Sequence, residues 1–170
     1  MKTIIIALFI FLAGFLPVEY LIAQSDEVTT FILVRHAEKA DDGTKNPPLT
    51  DEGFQRAENL VFMLDRQNID AIFSTNTQRT LLTVKLLAED KNLEIRHYNS
   101  SELSDFAEML VAEFNGKTIV ICGHSNTLPE TANLLLGYDY FPDNFDESDY
   151  ENLLIIHHFG DASKMVRLRF

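Results

Sequence analysis

The sequence is poor in cysteine and in basic residues. Cys122 is the single cysteine, which excludes an intrachain disulfide and a cysteine-based zinc site. Lysine and arginine number 14 against 26 aspartates and glutamates, a formal net charge of −12 at pH 7. Because an acidic surface repels a phosphate backbone, we expect no nucleic-acid partner. Internal repeats and linkers are also missing, and 170 residues with 46% hydrophobic content suit one globular domain.

The N-terminal segment has the pattern of an export signal. Lys2 precedes an uninterrupted run of small and apolar residues, 4–16, which is shorter than the roughly 20 residues that a membrane-spanning helix needs. Ala23 is the candidate last residue of the signal. We therefore expect residues 1–23 to be a signal peptide and residues 24–170 to be one exported domain, periplasmic or secreted, with no stable membrane insertion after cleavage. An uncleaved anchor in the inner membrane is the alternative.

Strand and helix patterns alternate through the rest of the chain. Short β-branched and apolar runs predict strands at 30–34, 69–73, 93–97 and 118–122, and a closing pair at 153–158 and 165–170. The first helix is predicted to begin after the capping residue Thr50. Its predicted apolar stripe comprises Phe54, Ala57, Val61 and Leu64. This order predicts an α/β domain, a three-layer sandwich whose mostly parallel central sheet is flanked by helices.

An acidic and aromatic loop is predicted at 138–151, before the closing strands. We expect a solvated loop that its aromatic side chains pack down onto the domain. Two alternatives are a lid that selects the organic half of a substrate and a calcium site, since clustered carboxylates suit a hard cation. The spacing of the carboxylates is not that of an EF-hand.

Polar segments follow three of the predicted strands. They are Arg35-His36-Ala37-Glu38-Lys39, Ser74-Thr75-Asn76-Thr77-Gln78-Arg79-Thr80 and Gly123-His124-Ser125-Asn126-Thr127. Open α/β sheets bind ligands beyond the carboxyl ends of their strands. We therefore expect two arginines and two histidines to surround one small volume.

This volume is a cationic pocket on an otherwise acidic protein. Guanidinium groups match the geometry of phosphate through paired N–H donors, and helices that begin near Thr77 or Thr127 add backbone N–H groups. Phosphate is therefore the expected occupant. One imidazole nitrogen can attack phosphorus to form a phosphohistidine, while the other cations stabilise charge on the equatorial oxygens. This chemistry requires no metal and no cofactor.

Four segments, in this order, carry a family resemblance. They are Arg35-His36-Ala37-Glu38, Pro48-Leu49-Thr50-Asp51-Glu52-Gly53, Phe73-Ser74 followed by Arg79-Thr80, and Gly123-His124-Ser125. Together they resemble the signatures of the histidine phosphatase superfamily, also called phosphoglycerate mutase-like. The resemblance runs from about Thr30 to Gly137, and the small size is similar to that of the compact bacterial phosphatases in the superfamily. It implies a phosphoglycerate mutase-like fold.

The resemblance also implies roles for individual residues. His36 would be the nucleophile, and Arg35, Arg79 and His124 would complete the phosphate pocket, with Asn126 as a further candidate ligand. The implied activity is that of a histidine acid phosphatase-like enzyme, which hydrolyses a small phosphorylated substrate without a metal. The alternatives are a phosphoryl-transfer enzyme, either a mutase or a protein phosphohistidine phosphatase, and a catalytically inactive phosphate-binding module.

The sequence leaves open which group protonates the leaving oxygen. In several members of the superfamily a glutamate follows the third strand, and Glu102 is the nearest match here. In another branch an aspartate directly follows the second histidine, where this chain has Ser125. Glu38, two residues beyond His36, is the other candidate, and the third alternative is that the chain has no dedicated acid. An acid in this role needs a raised pKa.

Overall fold

The computed structural model describes residues 27–160 and 162–170. The predicted signal segment, 1–23, lies outside the described residues. Within them, no helix is long and apolar enough to cross a membrane. The elements are β1 (Thr29–Arg35), α1 (Asp51–Leu64), β2 (Ala71–Ser74), α2 (Gln78–Lys91), β3 (Ile95–His97), α3 (Leu103–Glu113), β4 (Thr118–Gly123), α4 (Thr127–Leu136), β5 (Asn152–Phe159) and β6 (Ala162–Arg169).

The strands of the described residues form one sheet in the order β3-β2-β4-β1-β5-β6. The strands β3, β2, β4 and β1 run parallel to one another. The strand β5 lies antiparallel to β1 and forms a hairpin with β6, which is the predicted closing pair. The prediction of an α/β domain with a mostly parallel central sheet is confirmed.

Helices cover both faces of this sheet. Apolar side chains of α1 and α2 pack on one face, and those of α3 and α4 pack on the other. The strand β1 shows the alternation, because Phe31 and Leu33 belong to the core beside α3 and α4, whereas Ile32 and Val34 belong to the core beside α1 and α2. A strand that is covered on both faces has a continuous run of hydrophobic residues in its sequence, as β1 does. The predicted three-layer sandwich is confirmed.

The helix α1 begins where Thr50 predicts, since the Thr50 hydroxyl accepts a hydrogen bond from the Gly53 N–H. The predicted apolar stripe is only half correct. The buried residues of α1 are Gly53, Ala57, Leu60 and Leu64. Phe54 is 41% exposed and Val61 is half-buried. A Cβ at Gly53 would collide with the carbonyl oxygen of Glu38, so the side of α1 that packs on the domain includes Gly53 and not Phe54.

The loop 138–151 folds back over the start of α4. The Asn133 side chain bonds to both the N–H and the carbonyl of Phe141. Further along, the Phe145 N–H donates to the carbonyl of Ser125 at 2.9 Å. Phe145 is buried in the core, and Phe141 packs against it. The prediction that aromatic side chains pack this loop onto the domain is confirmed, and the loop is thereby brought to the carboxyl end of β4.

Replacing Gly53 with alanine tests the contact between α1 and the segment after β1. The new Cβ would collide with the Glu38 carbonyl oxygen and would also lie 3.1 Å from the Leu49 Cβ. Alanine favours a helix by about 1 kcal/mol over glycine, but overpacking costs about 1–3 kcal/mol. We expect Gly53→Ala to lower the free energy of unfolding in urea by about 1–2 kcal/mol. The exposed control Glu58→Ala should change it by less than about 0.5 kcal/mol, and equal effects would contradict the contact.

Candidate active site

The two predicted catalytic histidines meet because β1 and β4 are neighbours. The parallel register pairs Arg35 with Gly123, and the His36 N–H donates to the Gly123 carbonyl at 3.0 Å. The rings of His36 and His124 lie 5.4 Å apart, edge to face. A side chain at Gly123 would put its Cβ 2.7 Å from the hydroxyl oxygen of Thr127. Glycine at this position therefore allows α4 to begin immediately beside the histidine pair.

The ring of His36 is held in one tautomer. Its Nδ1 lies 2.8 Å from the carbonyl oxygen of Ala37. Because a carbonyl oxygen can only accept, Nδ1 carries the hydrogen and Nε2 keeps its lone pair. Burial lowers the pKa of His36 to about 3, against a partly opposing effect of the Ala37 hydrogen bond, and the charges of Arg35 and Arg79 lower it further. His36 is therefore a neutral imidazole with a nucleophilic Nε2 at any physiological pH.

His124 has the opposite tautomer. An Nη2 hydrogen of Arg79 points to its Nδ1 across 3.4 Å, and arginine has no acceptor, so Nδ1 must accept. The other nitrogen, Nε2, then donates to the Thr75 hydroxyl at 2.9 Å. Burial, followed by the charge of Arg79, lowers the pKa of His124 to about 4. Both histidines are thus neutral, and their rings are oriented by different partners, the Ala37 carbonyl for His36 and Arg79 with Thr75 for His124.

The two predicted arginines leave donors free beside these rings. Arg79 is the second residue of α2, and Arg35 ends β1 with its side chain fully buried. The Nε–H of each arginine is buried and has no hydrogen-bond partner within the described residues. An unpaired buried donor is costly unless an anion or water completes it. The arrangement fits a bound phosphate oxygen, although the roles of both arginines stay predictions.

The terminal nitrogens of Arg35 are committed to the loop 138–151. Nη1 donates to the carbonyls of Asp146 and Asp149 at 2.7 and 2.9 Å. Nη2 donates to the carbonyl of Glu147 at 2.9 Å and to its carboxylate at 3.0 Å. The Tyr150 ring lies 4.4 Å from the guanidinium carbon of Arg35 and 5.9 Å from the ring of His36. The loop therefore forms one wall of the histidine site.

Glu147 and Tyr150 belong to the site, and the sequence reasoning did not single them out. Both lie more than 110 residues beyond Arg35, so no local motif connects them to it. The sequence signal for both residues is the acidic and aromatic composition of their loop, for which a lid is one of the predicted alternatives.

The structure separates the two predicted proton donors from each other. Both carboxylate oxygens of Glu38 bond to Arg56, the shortest contact being 2.6 Å. Burial opposes the ionised form, but the hydrogen bond and charge of Arg56 outweigh it and lower the pKa of Glu38. Glu102 lies immediately before α3 with an exposed side chain, which makes no hydrogen bond or ion pair within the described residues. Either role stays a prediction.

Three clefts lie around the described site. One, of about 410 Å³, is bordered by Lys39, Arg79 and Tyr150, and another, of about 490 Å³, is bordered by Thr75 and His124. The first is lined by Arg79 and by the segment after β1, and the second by the segment after β2 and by His124. Asn126 is exposed at the start of α4 and lines a third cleft of about 680 Å³, which includes none of the arginines and histidines of the site. A phosphate-binding role for Asn126 stays a prediction.

The described residues give no support for a metal site. Among residues 27–160 and 162–170, no three side chains of histidine, cysteine, aspartate or glutamate are arranged to hold a metal ion. The carboxylates of the loop are instead engaged locally, as where Asp146 accepts from the Ser148 N–H and hydroxyl. The calcium alternative for the loop gains no support from this arrangement.

The low pKa values of the two histidines make the stability of the fold depend on pH. The ordinary histidine value of 6.5 falls to about 3 for His36 and about 4 for His124 on folding. At a pH below 6.5 and above about 4, both histidines are protonated more in the unfolded chain than in the folded chain. The free energy of unfolding therefore falls as the pH falls from about 6.5 to 4.

We expect the midpoint of thermal unfolding to fall less steeply over this range in His36→Asn than in the wild type. Circular dichroism at a series of pH values measures both slopes. His97→Asn is the matched control, since His97 is exposed on β3, and it should keep the wild-type slope. Equal slopes for the wild type and His36→Asn would show that His36 is not held neutral by the fold.

Sequence comparison links the first half of the domain to known proteins. Residues 31–101 match the family model of the histidine phosphatase superfamily, branch 1. Over 70 residues the chain is 40% identical to phosphoserine phosphatase 1 of Hydrogenobacter thermophilus, a match that covers 38% of this chain. It spans only 33% of the length of that relative.

Structural comparison covers most of the described chain. The YhfR protein of Bacillus stearothermophilus has a TM-score of 0.68 and 15% identity, with 82% of this chain and 96% of that chain covered. The phosphoserine phosphatase of Entamoeba histolytica, bound to 3-phosphoglyceric acid, has a TM-score of 0.61 and 16% identity, with coverage of 84% and 97%. The protein histidine phosphatase SixA, bound to tungstate, has a TM-score of 0.64 and 15% identity, with coverage of 82% and 96%. At such identities these structures establish the fold. Residues 31–101 are thus similar to the histidine phosphatase superfamily, and the described chain shares the fold of these phosphatases.

Proposed function

We propose that the protein hydrolyses phosphate monoesters through a phosphohistidine on His36. The observation that carries this proposal is the tautomer of His36, whose Nδ1–H is bound to the Ala37 carbonyl and whose Nε2 is left as a neutral nucleophile. Its pKa of about 3 keeps that lone pair available even in acid. The buried and unpaired Nε–H donors of Arg35 and Arg79 support an anionic substrate for that nitrogen.

The reaction has two steps at phosphorus. In the first, His36 Nε2 forms a bond to phosphorus and the ester oxygen departs. Arg79 and the Nε–H of Arg35 stabilise the charge on the equatorial oxygens, and His124 orients Arg79 by accepting a hydrogen bond from its Nη2. In the second, water attacks the phosphohistidine, phosphate leaves and the lone pair returns to Nε2. These residues perform the transfer with no metal among the reacting groups.

The substrate we propose is a small phosphorylated molecule. The phosphoserine phosphatase of Hydrogenobacter thermophilus supports an ester substrate, whereas SixA, a protein histidine phosphatase, supports the alternative of a phosphohistidine on a protein. The clefts of about 410 and 490 Å³, which border Arg79 and His124 respectively, have the size of a small organic group. A mutase and an inactive phosphate-binding module are the other candidates from the sequence.

Substitution of His36 tests the proposed nucleophile. His36→Asn, which removes Nε2 as a nucleophile, should lower kcat for p-nitrophenyl phosphate at least about a thousandfold while inorganic phosphate still binds. Wild-type turnover should persist in EDTA. A rapid quench during turnover should trap an acid-labile phosphoenzyme. The control His157→Asn, on β5 beside Thr30 at the opposite end of β1 from His36, should keep wild-type activity. Full activity of His36→Asn would rule out the nucleophile, and loss of wild-type activity in EDTA would favour a metallohydrolase.

We also propose that the protein is exported and acts outside the cytoplasm. The support is the N-terminal sequence, in which Lys2 precedes the apolar run 4–16. On expression of the full chain in a bacterium, the protein recovered from the periplasm or medium should begin near Gln24 by N-terminal sequencing. Replacing Ile5 and Leu8 by aspartate should retain the full-length chain in the cytoplasm. An intact N-terminus in the membrane fraction would instead support the anchor.

A further inference from the structure

The carboxylate of Glu147 lies beside the histidine pair although no motif brings it there. One oxygen accepts a hydrogen bond from the Ser125 hydroxyl, and the other accepts from Arg35 Nη2 at 3.0 Å. Ser125 directly follows His124, so this bond attaches the loop to the segment that carries the second histidine. The negative charge of Glu147 acts on both His124 and Arg79. Glu147 is thus an acidic neighbour of three groups that surround the phosphate pocket.

The surroundings of Glu147 suit the transfer of protons. The backbone of this segment is fixed, since Arg35 holds the carbonyls of Asp146, Glu147 and Asp149 at 2.7–2.9 Å. Its side chain is nevertheless 71% exposed, so the carboxylate can exchange protons with water. A reacting group needs such a combination, a fixed position and a path to solvent.

The other carboxylates near the histidines are placed differently. Glu38 is only 13% exposed and both of its oxygens bind Arg56, which would have to release it before it could move a proton. The Glu151 carboxylate, in the same loop as Glu147, lies 3.1 Å from Arg169. The Glu102 side chain makes no hydrogen bond or ion pair within the described residues. The Glu147 carboxylate instead contacts Arg35, a predicted phosphate ligand, and Ser125, the residue after His124.

We propose that Glu147 moves the proton in both steps of the reaction, an inference that rests on the proposed phosphohistidine chemistry at His36. In the first step, protonated Glu147 donates its proton to the leaving oxygen as the bond between phosphorus and that oxygen breaks, which leaves an alcohol. In the second step, the Glu147 carboxylate takes a proton from the attacking water as the nitrogen–phosphorus bond breaks. The carboxyl group is thereby restored, and the sum of the steps is hydrolysis.

The protonation state of Glu147 changes with occupancy of the pocket. In the ligand-free protein the Ser125 hydrogen bond outweighs burial and, with the charge of Arg35, lowers the pKa of Glu147. A phosphoryl dianion bound beside it would neutralise the arginine charges and repel the carboxylate, and both effects raise its pKa. Substrate binding therefore favours the proton that the first step consumes.

Leaving-group dependence tests this role. We expect Glu147→Gln to lower kcat/KM for an alkyl ester such as glycerol phosphate about a hundredfold, because its poor leaving oxygen needs a proton. For p-nitrophenyl phosphate, whose leaving group needs none, kcat/KM should change by less than about threefold, since it reports formation of the phosphoenzyme. Hydrolysis of the phosphoenzyme should slow, so a burst of p-nitrophenol should precede a reduced steady state.

The matched control is Glu151→Gln, which makes the same chemical change in the same loop and should leave both esters unaffected. Thermal unfolding of each variant checks that the fold is kept, and Ser125→Ala, which frees one oxygen of Glu147, should reproduce a smaller part of the leaving-group effect. Equal losses on both esters would overturn the proposal in favour of a structural role for Glu147. Faster reaction of both esters with tighter inhibition by inorganic phosphate would overturn it by showing that the carboxylate blocks the pocket.

Failure of this inference is distinguishable from failure of the proposed function. If the wild-type protein forms a phosphoenzyme on His36 and Glu147→Gln shows no leaving-group dependence, only the role of Glu147 is wrong. If the wild-type protein forms no phosphoenzyme from either ester, the phosphohistidine chemistry is wrong and the role of Glu147 falls with it.

Discussion

The parallel pairing of β1 with β4 sets Arg35 opposite Gly123, and the histidine site depends on this register. The pairing places the residues that follow each strand, His36 and His124, edge to face at 5.4 Å. The strand β2 pairs with the other edge of β4, so the helix after it brings Arg79 to the same end of the sheet. A slip of one residue would turn the buried side chains of β1 to the opposite face, and the cores on both faces oppose such a slip.

Positive charge is concentrated in this site although the whole chain carries a net charge of −12. Burying Arg35 completely would be costly without partners, and the loop that ends before β5 supplies three carbonyls and one carboxylate. The same bonds fix the loop as a wall of the site. The partnering of the buried arginine and the position of the loop are therefore consequences of one set of bonds, and both would change if the loop were removed.

Much of the fold could be predicted because its strands are buried on both faces and its turns are marked by local residues. Thr50 caps α1 as predicted, but only Ala57 and Leu64 of the predicted α1 stripe are buried. The buried side also includes Gly53, whose close approach to the Glu38 carbonyl arises only in the fold. The segments of the site were predicted from motifs at strand ends. Two sets of contacts could not be predicted in this way. The ion pair of Glu38 with Arg56 joins residues 18 apart in sequence, and the partners of Glu147 lie 22 or more residues from it.

The sequence by itself determined the order of strands and helices, the segments that carry the histidines and arginines, and the cationic nature of their pocket, because these follow from local patterns and residue types. Only the tertiary structure decided which nitrogen of each histidine carries the hydrogen, since the deciding partners are Ala37, Thr75 and Arg79 in folded geometry. It also decided that Arg35 binds the loop and that Glu147 reaches Ser125. A hydrogen bond depends on the distance and angle between donor and acceptor in space, and neither can be deduced from their separation along the chain.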